Sequence, residues 1–501
     1  MVETPRRQHM TATHGATGAD ARASLRSRCK RNCKLGSGDE RITALPRIVP
    51  VRTRPIAWRR PVTRRLRAFA LMAAAVAIAT LASPTAALAR GPGDLDPSFG
   101  RDGVAYIDFG GVDRGRNLFA DSSGRLLVSG ETGPDYPSCD ERPVLGRLLR
   151  QGELDHSFGD GGRRILRPVE SGFVDAWSPT ADGNVVLVGS HPSCKRDNAL
   201  YLAAYRSTGR IDRSFGENGV VSGRIRRDGP FPLDVLVLPS GRILVLFWNN
   251  NGSVVKAFRS DGSVARSFGS GGRLEIPRFT GEALASAPDG RVLIAGEQWS
   301  RSGRAVLAVH AVDESGHVDT SFGSNGRAQI ELAPAGGEFL SVGGNALKVF
   351  NDGTIAVGGS VGPFFDAGAF VARFTADGRP LASFGGGDGF RTFGIRDASV
   401  GGLVELPGGR IAVVGSVLRY FTDDDPQFVS SDVLVLALES DGSFWRTFAN
   451  NGRFRTHFGH WRWDVTGRDA AVVDGRLVVI GSGNGNGVSS GDVMVVRFLL
   501  N

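Results

Sequence analysis

One short motif recurs seven times along this chain and constrains its fold more than any other feature. It reads Gly, any residue, an apolar residue, Asp, any residue, Ser-Phe-Gly, two further residues and Gly. The phenylalanines of the seven copies are Phe99, Phe158, Phe215, Phe268, Phe322, Phe384 and Phe448. Their spacings are 59, 57, 53, 54, 62 and 64 residues, about 58 on average. Such a repeat is typical of proteins that stack one small unit, because a single unit cannot bury its apolar face alone.

A second feature falls once in every interval: a glycine followed at once by an apolar run. These glycines are Gly124, Gly183, Gly241, Gly290, Gly353, Gly409 and Gly475. In four copies an Asp precedes the glycine, and Asp-Gly between apolar runs favours a type I′ hairpin, whose central residues need positive φ. The pattern therefore predicts seven hairpins.

Each unit then contains four short strand-like segments. In the first unit we assign strand a to Val104–Phe109, strand b to Asn117–Asp121, strand c to Leu126–Ser129 and strand d to Val144–Leu149. Four short antiparallel strands repeated in a ring describe a β-propeller. We predict an all-β fold, a seven-bladed β-propeller of four-stranded antiparallel blades.

The two ends of the repeat region carry complementary parts of one unit. The C-terminal residues 497–501 follow a strand d, and residues 93–100 supply the turn and motif that should come next. A closed ring needs this complementarity, whereas an open solenoid needs capping units at both ends. We therefore expect the ends to meet.

These features resemble the Delta-60 repeat family of exported bacterial proteins, which is related to β-propeller repeats. The resemblance covers residues 94–501 and rests on the Ser-Phe-Gly motif and the Asp-Gly hairpin at this period. The seventh copy departs from it as Thr447-Phe448-Ala449. The motif's Asp is present as Asp96, Asp155, Asp212 and Asp319, but Ala265, Leu381 and Trp445 replace it elsewhere. The resemblance implies the fold and export, and implies no particular activity.

The repeated Phe and Asp both have structural interpretations. We expect the Phe to be a wedge buried between blades rather than a ligand-stacking surface, since burying it contributes about 1.5–3 kcal/mol. We expect the Asp to cap a turn, because three units lack it and no unit adds the oxygen ligands that Ca²⁺ requires. We predict no metal site and no cofactor.

The net charge of +9 belongs to the N-terminal segment. Residues 1–89 hold 17 basic and 4 acidic residues, whereas residues 90–501 hold 43 basic and 47 acidic ones. A nucleic-acid-binding domain requires a basic surface on its folded part, so we exclude nucleic acid as a partner.

The N-terminal segment has the organisation of an export signal. Residues 1–58 are basic and lack apolar periodicity, so we expect a disordered leader, or a translation start placed upstream of the true one. Residues 59–89 contain an arginine-rich stretch, an apolar run and Ala87-Leu88-Ala89, a cleavage pattern. We predict a propeller of residues 90–501, secreted and free of the membrane after cleavage. The alternative is an uncleaved anchor, since Ala68–Leu88 is long enough to span a bilayer; twin-arginine and general export both stay open.

Two cysteines occupy matching positions in adjacent units. Cys139 and Cys194 both lie in Pro-Ser-Cys within the segment between strands c and d. Export to an oxidising compartment permits a disulfide, so we predict an inter-blade bridge, with two free thiols as the alternative.

Loop length separates the two faces of the predicted ring. The b–c and d–a turns are nearly identical in all units, whereas the a–b and c–d connections vary widely, and variable connections tend to lie on the binding face. On that face we predict a ligand site in two neighbouring loops, formed by Asp423, Asp424, Asp425, His460, Trp461 and Trp463. The alternative is a solvated acidic loop with a tryptophan pair packed on the rim.

The sequence contains no catalytic signature among those we considered: no H-E-x-x-H, no G-x-S-x-G and no phosphate-binding loop. We therefore favour a monomeric binding module for an extracellular polysaccharide or protein. The alternative is a hydrolase or lyase with its site on the propeller face or in the channel, because this fold serves both roles.

Overall fold

The computed structural model describes residues 90–501 except 135–140, 168–172, 181, 192–198, 225–230, 300–304, 333–340, 363–367, 421–428, 459–464 and 485–490. Its 28 strands form seven four-stranded antiparallel sheets. The chain is thus a seven-bladed β-propeller, as the repeat predicts. The described residues include no helix that is long and apolar enough to cross a membrane.

The first three blades each contain four consecutive strands. Blade 1 contains β2 (Val112–Ala120), β3 (Leu126–Gly133), β4 (Arg142–Leu148) and β5 (Arg163–Ile165). Blade 2 contains β6 (Phe173–Pro179), β7 (Val185–His191), β8 (Ala199–Tyr205) and β9 (Val220–Arg224). Blade 3 contains β10 (Phe231–Val237), β11 (Ile243–Asn249), β12 (Gly252–Phe258) and β13 (Arg273–Pro277).

The remaining blades follow the same order, except that the last one combines both ends of the repeat region. Blade 4 contains β14 (Phe279–Ser286), β15 (Val292–Trp299), β16 (Ala305–Val312) and β17 (Arg327–Ile330). Blade 5 contains β18 (Ser341–Val349), β19 (Ile355–Gly362), β20 (Gly368–Phe374) and β21 (Phe390–Arg396). Blade 6 contains β22 (Ala398–Leu406), β23 (Arg410–Tyr420), β24 (Val429–Leu438) and β25 (Arg453–Thr456). Blade 7 contains β26 (Thr466–Val473), β27 (Arg476–Gly483), β28 (Asp492–Leu499) and β1 (Val104–Ile107).

The blade boundaries correct the assignment made from the sequence. The first strands of successive blades, such as β6, β10 and β14, contact one another and surround the central channel. Each blade therefore consists of strands b, c and d of one unit followed by strand a of the next. Strand a is the outermost strand of the preceding blade, so the sequence-based grouping was wrong by one strand.

Ring closure follows from that shift. Strand β1 pairs antiparallel with β28, from Val104 opposite Val496 to Ile107 opposite Val493. The amide of Gly93 also donates to the carbonyl of Leu499 at 2.9 Å. The prediction that the two ends supply one unit together is confirmed.

The hairpin turns differ from the predicted type in most blades. In the Asp289-Gly290 hairpin, Ala287 and Arg291 close a three-residue loop, in which Gly290 has positive φ, at 87°, and Asp289 does not. This is a type I turn with a glycine bulge. At Asp474 and Gly475, both residues of a two-residue loop have positive φ, as a type I′ turn requires. The hairpins are thus confirmed, but most do not have the predicted turn type.

The repeated Phe residues are wedges between blades, as expected. All seven are at most 1% exposed. Phe99, for example, packs between Val128 of blade 1 and Val495 of blade 7.

The repeated Asp caps its turn: Asp155 Oδ1 accepts hydrogen bonds from the Ser157 amide at 3.0 Å and from the Ser157 hydroxyl at 2.6 Å. Arg147 also pairs with Asp155 at 2.7 Å and lies over the Phe158 ring.

The connections divide the ring into two faces. We call the face with the inter-blade connections and the loops between second and third strands the crossover face, and the opposite one the hairpin face. On the crossover face, Arg278 alone joins β13 to β14, whereas eight residues separate β23 from β24. On the hairpin face, the turns between first and second strands are short in every blade, with two to five residues between the strands. Variable connections therefore collect on one face, as the sequence predicts.

Candidate functional site

All the site residues predicted from the sequence lie outside the described residues. Asp423, Asp424 and Asp425 fall between β23 and β24, and His460, Trp461 and Trp463 fall between β25 and β26. Cys139 falls between β3 and β4, and Cys194 between β7 and β8. The ligand site and the disulfide thus stay predictions.

The described ends of the two predicted ligand loops lie side by side. The Val465 amide, just before β26, donates to the Ser431 carbonyl of β24 at 3.3 Å. Asp432, 5% exposed, pairs with Arg455 at 2.7 Å and lies 3.3 Å from His457 Nδ1. The described residues next to these two segments are therefore hydrogen-bonded to each other on the crossover face.

A three-aspartate cluster lies where blade 7 meets blade 1. Carboxylate oxygens of Asp108, Asp113 and Asp492 lie within 4.8 Å of one another. Asp113 is fully buried and Asp492 is 2% exposed, whereas Asp108 is open to solvent. Burial, together with the charges of Asp108 and Asp492, raises the pKa of Asp113 to about 6. Three oxygen ligands at this spacing form a possible cation site.

An arginine–glutamate network lies on the side of blade 1 that faces blade 2. Arg114 Nη1 donates to Glu141 Oε1 at 3.0 Å, and Arg116 pairs with Glu131. Both glutamates are at most 3% exposed. Burial raises the pKa of Glu141 to about 7, and the nearby Glu131 charge raises it too. A buried carboxyl group with a pKa near neutrality can take up or release a proton under physiological conditions.

Two further carboxylates lie on the channel-lining strands. Asp234 of β10 accepts the amide of Leu284 in the next blade at 2.7 Å, and Asp469 of β26 accepts that of Leu118 at 3.0 Å. Each follows a bulge in its strand. Burial raises the pKa of Asp234 to about 7 and that of Asp469 to about 6. Their hydrogen bonds join neighbouring inner strands, which is a structural role.

A groove of about 680 Å³ runs along β5 at the rim of blade 1. Its residues come from the crossover into blade 1, from β5 and its flanks, and from blade 2: Asp108, Phe109, Gly110, Asp160, Arg163, Arg164, Ile165, Leu166, Arg167, Tyr205 and Ile211. We call it the rim groove. It begins on the crossover face and extends toward the hairpin face.

The rim groove is rich in hydrogen-bond donors that the described chain leaves unused. Within the described residues, the guanidinium groups of Arg163, Arg164 and Arg167 form no ion pair. The Tyr205 hydroxyl and Arg163 Nε are buried and have no hydrogen-bond partner among the residues that the structure describes. A buried donor without a partner costs about 1–3 kcal/mol, so a ligand that accepts these hydrogen bonds would recover that energy.

Sequence analysis missed both the three-aspartate cluster and the rim groove. Asp108 and Asp492 lie near opposite ends of the repeat region, and only ring closure brings them together. Arg163, Arg164 and Arg167 did carry a local signal, because three arginines within five positions are unusual in an acidic domain. Their position on a short outermost strand depends on the strand grouping that the sequence left wrong by one.

No family model matches this chain, and no curated protein matches it. Among solved structures, it is similar to a catalytically inactive virginiamycin B lyase from Staphylococcus aureus, with 10% identity over 78% of this chain and 98% of the lyase (TM-score 0.42). It is similar to Sqt1 from Chaetomium thermophilum, with 14% identity over 79% of this chain and 98% of Sqt1 (TM-score 0.40). A xyloglucanase from Xanthomonas campestris gives 13% identity over 77% of this chain and 54% of the enzyme (TM-score 0.41).

Proposed function

We propose that this protein is an exported binding module of the Delta-60 type that holds an acidic extracellular polymer in the rim groove. A polysaccharide bearing carboxylate groups is the first candidate. The observation that carries the proposal is the row of three arginines in the groove, unpaired within the described chain, beside the buried Tyr205 hydroxyl.

The chemistry of the groove suits a carboxylate on a sugar ring. A guanidinium group presents a planar pair of donors that matches both oxygens of a carboxylate. The Tyr205 hydroxyl and Arg163 Nε offer further donors. Ile165 is 38% exposed and Ile211 lies across the groove, so both offer apolar surface to a pyranose face. Several arginines along one groove also favour a polymer over a single small anion, because each repeating charge can pair.

The first test compares binding of the purified protein to polygalacturonate and to neutral dextran. The variant Arg163→Gln/Arg164→Gln/Arg167→Gln removes the three charged guanidinium groups and should lower affinity for polygalacturonate at least tenfold, since each charged hydrogen bond contributes about 1.5–3 kcal/mol. The matched control is Arg210→Gln/Arg213→Gln/Arg266→Gln, which removes three exposed arginines outside the groove. It should leave affinity within about twofold.

Two results would overturn the proposal. Equal binding of dextran and polygalacturonate would remove the role of the acidic group. An equal loss in the groove variant and the control would show attraction to net charge alone, without a built site. Measurements at 50 and 300 mM NaCl distinguish attraction to net charge from direct ion pairing in the groove, because salt screens diffuse attraction more strongly than direct ion pairs.

We further propose that the loops predicted from the sequence form a second binding surface. Trp461 and Trp463 would stack on sugar rings, and Asp423, Asp424 and Asp425 would accept hydroxyl hydrogen bonds. In the same assay, Trp461→Ala/Trp463→Ala should weaken retention if a long polymer extends from the groove onto this surface.

An enzyme remains the second candidate, and Glu141 is the observation that favours it. A proton-carrying carboxyl group beside a second glutamate is the arrangement that polysaccharide hydrolases and lyases use as general acid and base. Release of short fragments from polygalacturonate, lost in Glu141→Gln, would favour this candidate over a binding module.

A further inference from the structure

Ring closure places two like charges opposite each other. In the β1–β28 ladder, Ile107 lies opposite Val493. The next positions in this register are Asp108 and Asp492, one from the N-terminal strand and one from the C-terminal strand. Like charges at directly opposite positions of an antiparallel pair are destabilising, so the two carboxylates repel each other at this end of the closing strand pair.

A third, buried carboxylate adds to that repulsion. Asp113 follows the crossover from β1, and its amide donates to the Gly491 carbonyl beside Asp492 at 2.7 Å. The Phe109 amide donates to Asp113 Oδ2 at 2.6 Å. Asp113 Oδ1 is buried, and within the described residues no donor lies in hydrogen-bond geometry with it. The Thr132 side chain near this carboxyl group lowers its pKa, but burial outweighs that effect. A fully buried carboxylate oxygen without a donor is rare in native proteins and needs an explanation.

We propose that the three-aspartate cluster binds one calcium ion, which fastens the N-terminal strand to the C-terminal strand and so locks the ring. The ion accounts for both the unpartnered Asp113 Oδ1 and the close approach of three carboxylates. Calcium accepts six to eight oxygen ligands in irregular geometry, and solvent-exposed Asp108 leaves room for water ligands. Magnesium demands a near-ideal octahedron, which two strand ends and a crossover do not offer. This inference stands independently of the proposed polymer.

The experiment measures thermal unfolding of the purified protein in EDTA and then with 5 mM CaCl₂, at matched ionic strength. Calcium binds the closed ring and not the unfolded chain, so it should raise the Tm by roughly 3 °C at saturation. Asp113→Asn removes one charge and keeps the shape. This variant should have a higher Tm than the wild type in EDTA, since repulsion is relieved, and should gain less than 1 °C from calcium.

Asp234→Asn is the matched control. It replaces another carboxylate on a channel-lining strand, in blade 3 and outside the three-aspartate cluster, and should keep the full calcium response. If Asp113→Asn does not fold, Asp108→Asn at the exposed position replaces it. Calorimetric titration of the wild type with calcium should give one site per chain.

Three outcomes would refute the site. The first is a wild-type Tm that calcium leaves unchanged. The second is an equal calcium response in Asp113→Asn and the wild type, which would place binding elsewhere. The third is an equal response to NaCl at matched ionic strength, which would indicate screening of an acidic surface. A response to Mg²⁺ or Mn²⁺ alone would refute the assignment to calcium.

Discussion

At the scale of single residues, the seventh motif contains a strained alanine. Six copies place a glycine directly after the Phe, with φ between 48° and 73°, and the seventh places Ala449 there with φ of 44°. At the equivalent Gly323, an added Cβ would lie 2.3 Å from the Arg327 carbonyl oxygen. A left-handed conformation costs a residue with a side chain about 1–3 kcal/mol. The turn is therefore held at Ala449 by the packing around it.

Ala449→Gly should stabilise the protein by about 1 kcal/mol, because relief of the strain exceeds the added entropy of a glycine in the unfolded chain. The reverse change at the matched position, Gly323→Ala, should destabilise it by at least as much. Urea unfolding with a common m-value measures both. A neutral or destabilising Ala449→Gly would show that the alanine side chain makes contacts worth more than the strain.

At the scale of strands, the bulge in each inner strand lets one blade bond to the next. The ladder register shifts at this level in all seven blades, for example between Pro232 and Asp234. Asp234, just after the bulge, accepts amides of its own strand and of β14. Burial and the charge of Asp469 raise its pKa. The two amide hydrogen bonds favour the charged carboxylate, but burial outweighs them and favours the protonated form.

Asp234→Asn should gain stability relative to the wild type as pH rises. The folded wild type holds a proton on Asp234 up to a pKa of about 7, whereas the unfolded chain releases it near 3.8. The stability that the protonated Asp234 carboxyl group contributes is thus fully present below about pH 4 and is lost as pH rises to about 7. The variant does not titrate, so its advantage should grow to roughly 1–3 kcal/mol at pH 8.

Urea unfolding at pH 4.5, 6 and 8 measures that difference. Asp261→Asn is the control: hydrogen bonds with Ser263 lower the pKa of Asp261 below 3.8, so its stability difference from the wild type should stay nearly constant across this range. A difference between Asp234→Asn and the wild type that stays constant across this range would contradict the assignment.

The sequence predicts the strands well and their grouping poorly, for a physical reason. Alternation of apolar residues and the glycine turns locate β2, β3 and β4, because local chemistry determines them. Strand a could pair with strand d of the preceding unit or with strand b of its own unit, and both pairings bury the same apolar face. Packing around the channel decides between the two pairings, and no local sequence pattern indicates that packing. The turn type was wrong for a similar reason: the Asp289-Gly290 dipeptide fits a type I′ turn, but the hairpin there has a three-residue loop.

At the scale of the whole molecule, closure brings together residues that the sequence keeps apart. The buried Phe99 follows directly from the repeat, since every copy needs the same wedge. The three-aspartate cluster does not, because its members belong to no motif and meet only where β1 joins β28. The rim groove likewise depends on which strand is outermost. Repeated features were therefore predictable, and features unique to one position in the ring were not.

A shortened chain that begins at Gly111 tests how much the closing strand stabilises the ring. It lacks β1 and the Phe99 wedge, so β28 presents the unpaired edge of Val493–Val496, all fully buried in the intact ring. An exposed apolar edge strand recruits another chain. The shortened protein should therefore oligomerise, and light scattering on a sizing column measures this.

A peptide of residues 90–110 added in trans should restore the monomer by supplying β1. The same peptide with Phe99→Ala should bind at least tenfold more weakly, because filling that site with Phe is worth about 3–5 kcal/mol. A shortened protein that stays monomeric with an unchanged Tm would mean that the ring holds without its closing strand.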